Sequence, residues 1–160
     1  MMSSHTVMMP REGHLDHFIF IFSYLKTHHN SRLVLDPTYP DIEMGQFKHH
    51  NWKQLYGNVK ETITLNAPMF LGKEFLMMVY VDADFAGNSL TRQSRSGFMV
   101  MMTSAPLYWF SKKQSSMETS SFGSEFMAIR QCCECLKGLR YKLGMMRVPV
   151  NNPCFLYGDN

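Results

Sequence analysis

The chain has 160 residues, and 45% of them are hydrophobic, so it can bury one sizeable core with an appendage. Its formal charge of +3 permits an anionic partner without requiring one. The sequence has no apolar run of about 18 residues and no secretory signal at its start, which argues against a membrane partner and against secretion. Cys132, Cys133 and Cys135 fall in one predicted helix and define neither a disulfide framework nor a zinc site, so we expect reduced thiols in an intracellular protein.

Helical spacing marks the start of the chain. Five apolar residues recur at intervals of three or four after Pro10: Leu15, Phe18, Ile19, Phe22 and Leu25. This spacing predicts an amphipathic helix that ends near residues 28–30, and residues 31–35 predict a short strand stopped by Asp36-Pro37. Residues 36–72 show no sustained period, apart from a possible short helix around Trp52, Leu55 and Tyr56. We therefore divide the chain into an N-terminal helix, strand and linker (1–72) and a denser unit (73–160).

The pattern of apolar residues in the denser unit predicts an α/β fold. Apolar runs predict four strands, at residues 75–81, 97–102, 106–110 and 154–157. The first run is apolar on both alternating faces, as expected of a central strand covered on both sides. Short polar connections indicate an antiparallel meander of the first three strands, and a helix separates the third strand from the fourth. The fourth strand can then pair parallel to the first through a helical crossover.

The helix is predicted to begin at Ser120 or Ser121, either of which can cap it, and to stop near Gly144. Its predicted buried stripe has seven members at helical spacing: Phe122, Phe126, Ile129, Cys133, Leu136, Leu139 and Leu143.

Carboxylates lie where these elements begin and end. Asp82 and Asp84 follow the first strand and point to one face of an extended chain, because side chains alternate. Glu125 falls in the first turn of the helix, and Asp159 follows the last strand. Like charges this close repel each other unless a cation lies between them, and carboxylate oxygens are the ligands that Mg²⁺ prefers. This arrangement predicts a magnesium site.

Five segments in residues 75–160 carry a family resemblance. They are residues 82–87 (DADFAG), 94–98 (SRSGF), 106–114 (PLYWFSKKQ), 118–126 (ETSSFGSEF) and 156–160 (LYGDN). In this order and spacing they resemble the ribonuclease H domain of copia-type retrotransposon polyproteins. Upstream, residues 24–26 (YLK) and 35–39 (LDPTY) resemble the segment that joins reverse transcriptase to ribonuclease H in those polyproteins.

The resemblance implies a ribonuclease H-like mixed sheet and hydrolysis of the RNA strand of RNA–DNA hybrids with two Mg²⁺ ions, Mn²⁺ being an alternative. It implies Asp82, Glu125 and Asp159 as metal ligands and catalytic residues. Asp84 is a weaker candidate, because the matching residue varies in the family, and a solvated turn carboxylate balanced by a nearby arginine explains it equally well. The implied partners are the hybrid and a reverse transcriptase domain of the same polyprotein, in a cytoplasmic virus-like particle or in the nucleus.

Four cations are candidates for phosphate contacts: Arg92, Arg95, Lys112 and Lys113. Each contact of this kind adds sequence-independent, salt-sensitive affinity for nucleic acid. For any single one of them, however, a charged and solvated turn is the simpler interpretation.

The chain departs from the family in one respect. The family has a fourth acidic residue, further helices and a fifth strand downstream of the residue matching Asp159, and the 160 residues contain none of these. We therefore expect a C-terminally truncated fragment with weak or absent catalysis on its own. The alternative is a non-enzymatic remnant that binds nucleic acid or packs against a polymerase domain. A polymerase palm fits less well, because Ala83 separates two aspartates that would have to be adjacent.

Overall fold

The structure, a computed structural model, describes residues 12–43, 45, 47, 51–58, 66, 69–88, 90–150 and 152–159. Its elements in chain order are α1 (Glu12–Thr27), α2 (Lys53–Tyr56), β1 (Met77–Asp84), β2 (Arg95–Met102), β3 (Ala105–Lys113), α3 (Ser121–Met145) and β4 (Phe155–Tyr157). The chain divides into two compact units, Met1–Val34 and Leu35–Asn160. No helix in the described ranges is both long and apolar enough to cross a membrane.

The sheet has the predicted mixed topology. Its strand order is β3-β2-β1-β4; the β1–β2 and β2–β3 pairs are antiparallel, and β4 is parallel to β1. Strand β1 is longer than predicted, because Asp82 pairs with Gly97 and Asp84 pairs with Arg95. The two aspartates therefore lie within the strand rather than after it.

The N-terminal predictions are partly confirmed. Helix α1 forms as its apolar spacing predicts, and the short helix around Trp52 forms as the single turn α2. The predicted strand at residues 31–35 is wrong, because these residues adopt no regular secondary structure. A strand needs a hydrogen-bonding partner, and none of the described strands pairs with this segment.

Helix α3 packs on one face of the sheet through small side chains. The core joins Met77, Val79 and Val81 of β1 to α3, whose buried residues are Ser124, Ala128, Cys132, Leu136, Leu143 and Gly144. The predicted stripe is wrong for Phe122, Phe126 and Cys133, which are exposed. Small residues at four-residue intervals let the helix approach the sheet closely, and larger side chains there would hold it away.

Both ends of α3 are capped. The hydroxyl of Ser120 accepts a hydrogen bond from the backbone N–H of Gly123 at 3.1 Å, as predicted. The predicted stop at Gly144 is early by one residue, since this glycine is buried within the last turn. The left-handed residue is Arg147 (φ 66°), and the N–H groups of Arg147 and Val148 donate to the carbonyls of Gly144 and Leu143. These contacts define a Schellman motif with arginine in place of the usual glycine.

The face of the sheet opposite α3, which we call the open face, is exposed along one row of residues, although Met78 and Phe155 on it are buried. The register aligns Tyr157, Tyr80, Met99 and Trp109 across the four strands, and Tyr80 and Trp109 are 50% and 62% exposed. The expectation that β1 is covered on both sides is therefore wrong at Tyr80. The reason is that α3 is the one long helix of the described part of this unit, and it covers the other face.

Residues 36–39 pack against the sheet unit, although no periodic pattern marks them. The hydroxyl of Thr103, in the turn between β2 and β3, donates to the carbonyl of Asp36 at 3.3 Å. The hydroxyl of Ser104 donates to the carbonyl of Thr38 at 2.9 Å, and the hydroxyl of Tyr39 donates to the carbonyl of Glu74. This segment is therefore anchored at the hairpin end of the sheet.

The left-handed conformation of Arg147 predicts a stabilising substitution. We expect Arg147→Gly to raise the free energy of unfolding by about 0.5 to 1 kcal/mol, because glycine adopts this conformation without a Cβ clash. Urea denaturation measures the change. Lys142→Gly, one turn earlier, should instead lower stability by about 1 kcal/mol, since glycine is unfavourable within a helix. A loss of stability with Arg147→Gly would show that the arginine side chain contributes more than the strain costs.

The buried thiol of Cys132 predicts a pH dependence of stability. Burial raises the pKa of Cys132 from 9.0 to about 12. Between these values the unfolded chain has lost the thiol proton while the folded protein keeps it, so stability falls as pH rises through this window. Denaturation at a series of alkaline pH values should show a shallower decline for Cys132→Ala than for the parent. The exposed Cys133 provides the control, and Cys133→Ala should keep the parental slope.

Candidate metal site

Parallel pairing of β4 with β1 brings two of the predicted acids together. Met78, Val79 and Tyr80 pair with Phe155, Leu156 and Tyr157, respectively. Carrying this register two residues further places Asp82 beside Asp159. The rings of Tyr80 and Tyr157 stack at the last paired position, with centroids 5.3 Å apart and planes 20° apart. This contact fixes the two strands immediately before the acids.

Glu125 reaches the same end of the sheet from α3. Ser120 caps the helix, and the first buried residue, Ser124, faces the sheet. Glu125 follows Ser124 and is half-buried, whereas Asp82 and Asp159 are exposed. The prediction that this carboxylate lies in the first helical turn is wrong, because α3 begins at Ser121 and its first turn contains no acidic residue. Glu125 follows that turn, and the packing of α3 on β1 directs it to the sheet end.

The three predicted ligands line one cleft. It has a volume of about 40 Å³, which exceeds the space that a single water molecule needs. Its lining residues are Val81, Asp82, Glu125, Ile129, Gly158 and Asp159. Three side chains that are 43 and 34 positions apart along the chain therefore meet at one place on the surface.

The donor set suits a hard divalent cation, because every charged group in the cleft is a carboxylate. In the ranges that the structure describes, however, no three histidine, cysteine, aspartate or glutamate side chains are grouped closely enough to hold a metal ion. The carboxylates thus share a cleft without forming a closed coordination group. Their assignment as ligands stays a prediction.

Asp84 lies apart from this cleft. Its carboxylate occupies the space beside Gly87 that the Cβ of any other residue would need. The side chain is thus turned back onto the loop after β1, and Arg95 pairs opposite it on β2. This position favours the interpretation of Asp84 as a turn carboxylate over its interpretation as a ligand.

The four predicted phosphate-contacting cations do not form one surface. Lys113 pairs opposite Arg95, which in turn pairs opposite Asp84, so these three residues form a row on one face of the sheet. Lys112 points to the other face, because neighbouring strand residues alternate. Arg92 lies in the loop between β1 and β2, is exposed and has φ of 53°. Arg95 and Lys113 are therefore the better-placed pair for one anionic partner.

Two residues that hold the site were missed by sequence reasoning. In the sequence Gln114 stands out only as the last residue of the 106–114 segment, yet its side chain is buried and hydrogen-bonded to α3. Arg140 was not singled out, yet its guanidinium donates to the carbonyls of Val150 and Asn152 in the loop before β4, at 2.8 and 2.9 Å. Neither position carries a periodic signal, because each acts through partners distant in sequence.

Comparisons with known proteins connect the chain to retroelements. It is 28% identical over 132 residues to the retrovirus-related Pol polyprotein from transposon RE2 of Arabidopsis thaliana, a match over 78% of this chain and 9% of that protein. It is 27% identical over 135 residues to the corresponding polyprotein from transposon RE1 of the same plant, a match over 77% of this chain and 9% of that protein. Its relatives are therefore retrotransposon Pol polyproteins, and the chain spans about a tenth of their length.

A shorter match is to secreted RxLR effector protein 161 of Plasmopara viticola. The identity is 36% over 55 residues, which cover 34% of this chain and 39% of that protein. No protein-family model matches the chain. No solved structure matches it either.

The contacts of Arg140 predict its contribution to stability. Arg140→Met removes the donors for two loop carbonyls and should lower the free energy of unfolding by about 1 to 3 kcal/mol, as expected for partly buried acceptors left unpaired. Arg130→Met is the matched control on the same helix, because Arg130 forms a solvent-exposed ion pair with Glu134. We expect this control to change stability by less than about 1 kcal/mol in the same urea titration. Equal effects would contradict a special role for Arg140.

Proposed function

We propose that this chain carries the acidic residues of a copia-type retroelement ribonuclease H, which hydrolyses the RNA strand of RNA–DNA hybrids. The observation that supports this most is the shared cleft of Asp82, Glu125 and Asp159. The relation to transposon Pol polyproteins supports a retroelement origin. The order of the acids on a strand, a helix and a parallel strand agrees with the resemblance of the sequence motifs.

In this proposal Asp82, Glu125 and Asp159 hold two Mg²⁺ ions, with Mn²⁺ as an alternative. When bound, divalent ions of this kind activate a water molecule for attack on a phosphodiester and offset the negative charge that develops on the leaving oxygen. The carboxylates themselves fix the position of the ions. Arg95 and Lys113, which share a face of the sheet, would contact phosphates of the hybrid and contribute salt-sensitive affinity.

We expect weak turnover from the 160-residue chain on its own. The carboxylates lack a closed grouping in the described residues, so binding must reorganise them. That reorganisation reduces the affinity that the cleft can reach.

The alternative is a non-enzymatic module that binds nucleic acid or packs against a reverse transcriptase domain. The exposed aromatic residues on the open face of the sheet favour packing, because large exposed apolar surfaces mark interaction sites. This function requires no metal. The two proposals therefore differ in a property that is directly measurable.

The test uses the full chain with an RNA–DNA hybrid labelled on either strand. We expect slow cleavage of the RNA strand in Mg²⁺ or Mn²⁺, no cleavage of the DNA strand, and complete loss of cleavage in EDTA. Asp82→Asn should lower the rate at least about tenfold, because it removes a charged ligand. Asp84→Asn is the matched control two residues away and should keep most of the activity, since this carboxylate faces its own loop.

Isothermal titration with Mn²⁺ separates the two proposals when cleavage is too slow to detect. Uptake of Mn²⁺ that Asp82→Asn weakens and Asp84→Asn leaves unchanged would support the metal site. Hybrid binding with neither Mn²⁺ uptake nor cleavage would instead favour the non-enzymatic module. Cleavage that persists unchanged in Asp82→Asn would assign the activity to other residues or to a contaminant.

A further inference from the structure

Gln114 is buried at the junction of the sheet and α3. It follows β3 directly and is 1% exposed. Its backbone N–H donates to the carbonyl of Ser94 at 2.8 Å. Its side-chain Nε2 donates to the hydroxyl of Ser96 at 3.0 Å and to the carbonyl of Ser124 at 2.8 Å. A buried polar side chain with this many bonds joins three segments of the chain.

The chemistry of the partners fixes the orientation of the Gln114 amide. The carbonyl of Ser124 can only accept a hydrogen bond, so the nitrogen of the amide must face it. Within the described residues Oε1 of Gln114 has no partner, so the side chain is held by its two N–H donors. A carboxylate at this position would face the Ser124 carbonyl with an acceptor, and an apolar side chain would offer no donor.

Each of the two side-chain bonds ends next to a predicted metal ligand. Ser96 pairs directly opposite Ala83 on β1, and Ala83 follows Asp82. Ser124 precedes Glu125 on α3. One amide group thus connects the strand that carries the first acid with the helical turn that carries the second.

The neighbouring contacts strengthen this connection. Ser94, which accepts the backbone N–H of Gln114, also accepts a hydrogen bond through its hydroxyl from the N–H of Ala86 at 3.1 Å. Ala86 lies in the turn after β1 and has φ of 52°. The hydroxyl of Ser124 donates to the carbonyl of Ser121 at 2.7 Å. Gln114 therefore joins two locally braced turns, one after β1 and one at the start of α3.

We propose that Gln114 is a positioning residue that sets the distance between Glu125 and Asp82 through its amide bonds to Ser96 and Ser124. The inference rests on the proposed function, in which both acids bind the metal ions. Mutation of residues that do not bind the metal but orient its ligands commonly weakens metal affinity 10- to 100-fold. Gln114 does not line the cleft, and its side-chain bonds go to Ser96 and Ser124 rather than to a predicted ligand, so it acts through the segments that carry the two acids.

The experiment measures two properties of Gln114→Met, which has nearly the volume of glutamine but no donor. First, isothermal titration gives the Mn²⁺ affinity of the full chain, of Gln114→Met, of Glu125→Gln and of the double variant. We expect Gln114→Met to weaken binding about tenfold. Glu125→Gln should then weaken binding much less in the Gln114→Met background than in the parent, because the two residues act as one unit. Additive losses would overturn the proposal.

Second, amide hydrogen exchange followed by mass spectrometry reports on α3 without any metal. Exchange should become faster in the peptide that contains residues 121–126 of Gln114→Met and stay unchanged in peptides from the last turns of α3. If the parent binds no Mn²⁺, the proposed function fails, while this measurement still decides whether Gln114 holds the first turn. Unchanged exchange in that peptide would overturn the proposal.

Gln93→Met is the matched control. The Gln93 amide also donates to a backbone carbonyl, that of Ser115 at 3.4 Å, but has no bond to α3 among the contacts described. This variant should keep the parental Mn²⁺ affinity and exchange. Circular dichroism establishes that each variant folds. If Gln114→Met does not fold, Gln114→Asn replaces it, because asparagine keeps the N–H donors but is too short to reach both acceptors. If both variants unfold, the Gln114 amide stabilises the whole sheet unit, which would contradict a local role in positioning Glu125.

Discussion

The parallel pairing of β4 with β1 is the contact on which the candidate site depends. Only three residues of β4 take part, and they leave Asp159 one residue beyond Gly158, at the edge of the sheet. A three-residue strand pairing forms few hydrogen bonds, so side-chain contacts must also stabilise it. Tyr157 stacks on Tyr80, and the ring of Phe47 lies 4.8 Å from that of Phe155. Arg140 holds the loop that leads into the strand.

Helix α3 provides the other half of the site by lying close to the sheet. The close approach depends on Ser124, Ala128 and Cys132, whose small side chains fill the interface that large apolar residues would have widened. At its first turn the contact is polar, through the buried amide of Gln114. Polar contacts in a dry interior are directional, so they specify one arrangement where apolar packing would tolerate several. The position of Glu125 thus has a different physical origin from that of Asp82 and Asp159.

Several large apolar side chains remain outside this core. Phe122 and Phe126 flank Glu125 on the outer side of α3, are 74% and 59% exposed, and have ring centroids 6.5 Å apart. Tyr80 and Trp109 lie on the open face of the sheet. Sequence patterning alone predicts both phenylalanines to be buried, because it depends only on apolar character and spacing. It does not show which side of the helix packs against the sheet, or how closely. The same limitation explains the expectation that β1 is covered on both faces.

The sequence by itself determined the order and type of the elements of the sheet unit, because period-two and helical spacing record which side of each element avoids water. It also predicted Asp82, Glu125 and Asp159 as ligands, since each lies near a strand end or near the start of the helix. Tertiary structure decided that the three carboxylates share one cleft, that Asp84 turns away toward Gly87, and that Arg95 and Lys113 lie apart from Lys112. It also revealed Gln114 and Arg140, whose side-chain hydrogen-bond partners lie 10 to 18 residues away along the chain. Hydrophobic patterns depend on residues close together in the sequence and therefore predict single strands and helices. The contacts of Gln114 and Arg140 form only when the strands and the helix pack together.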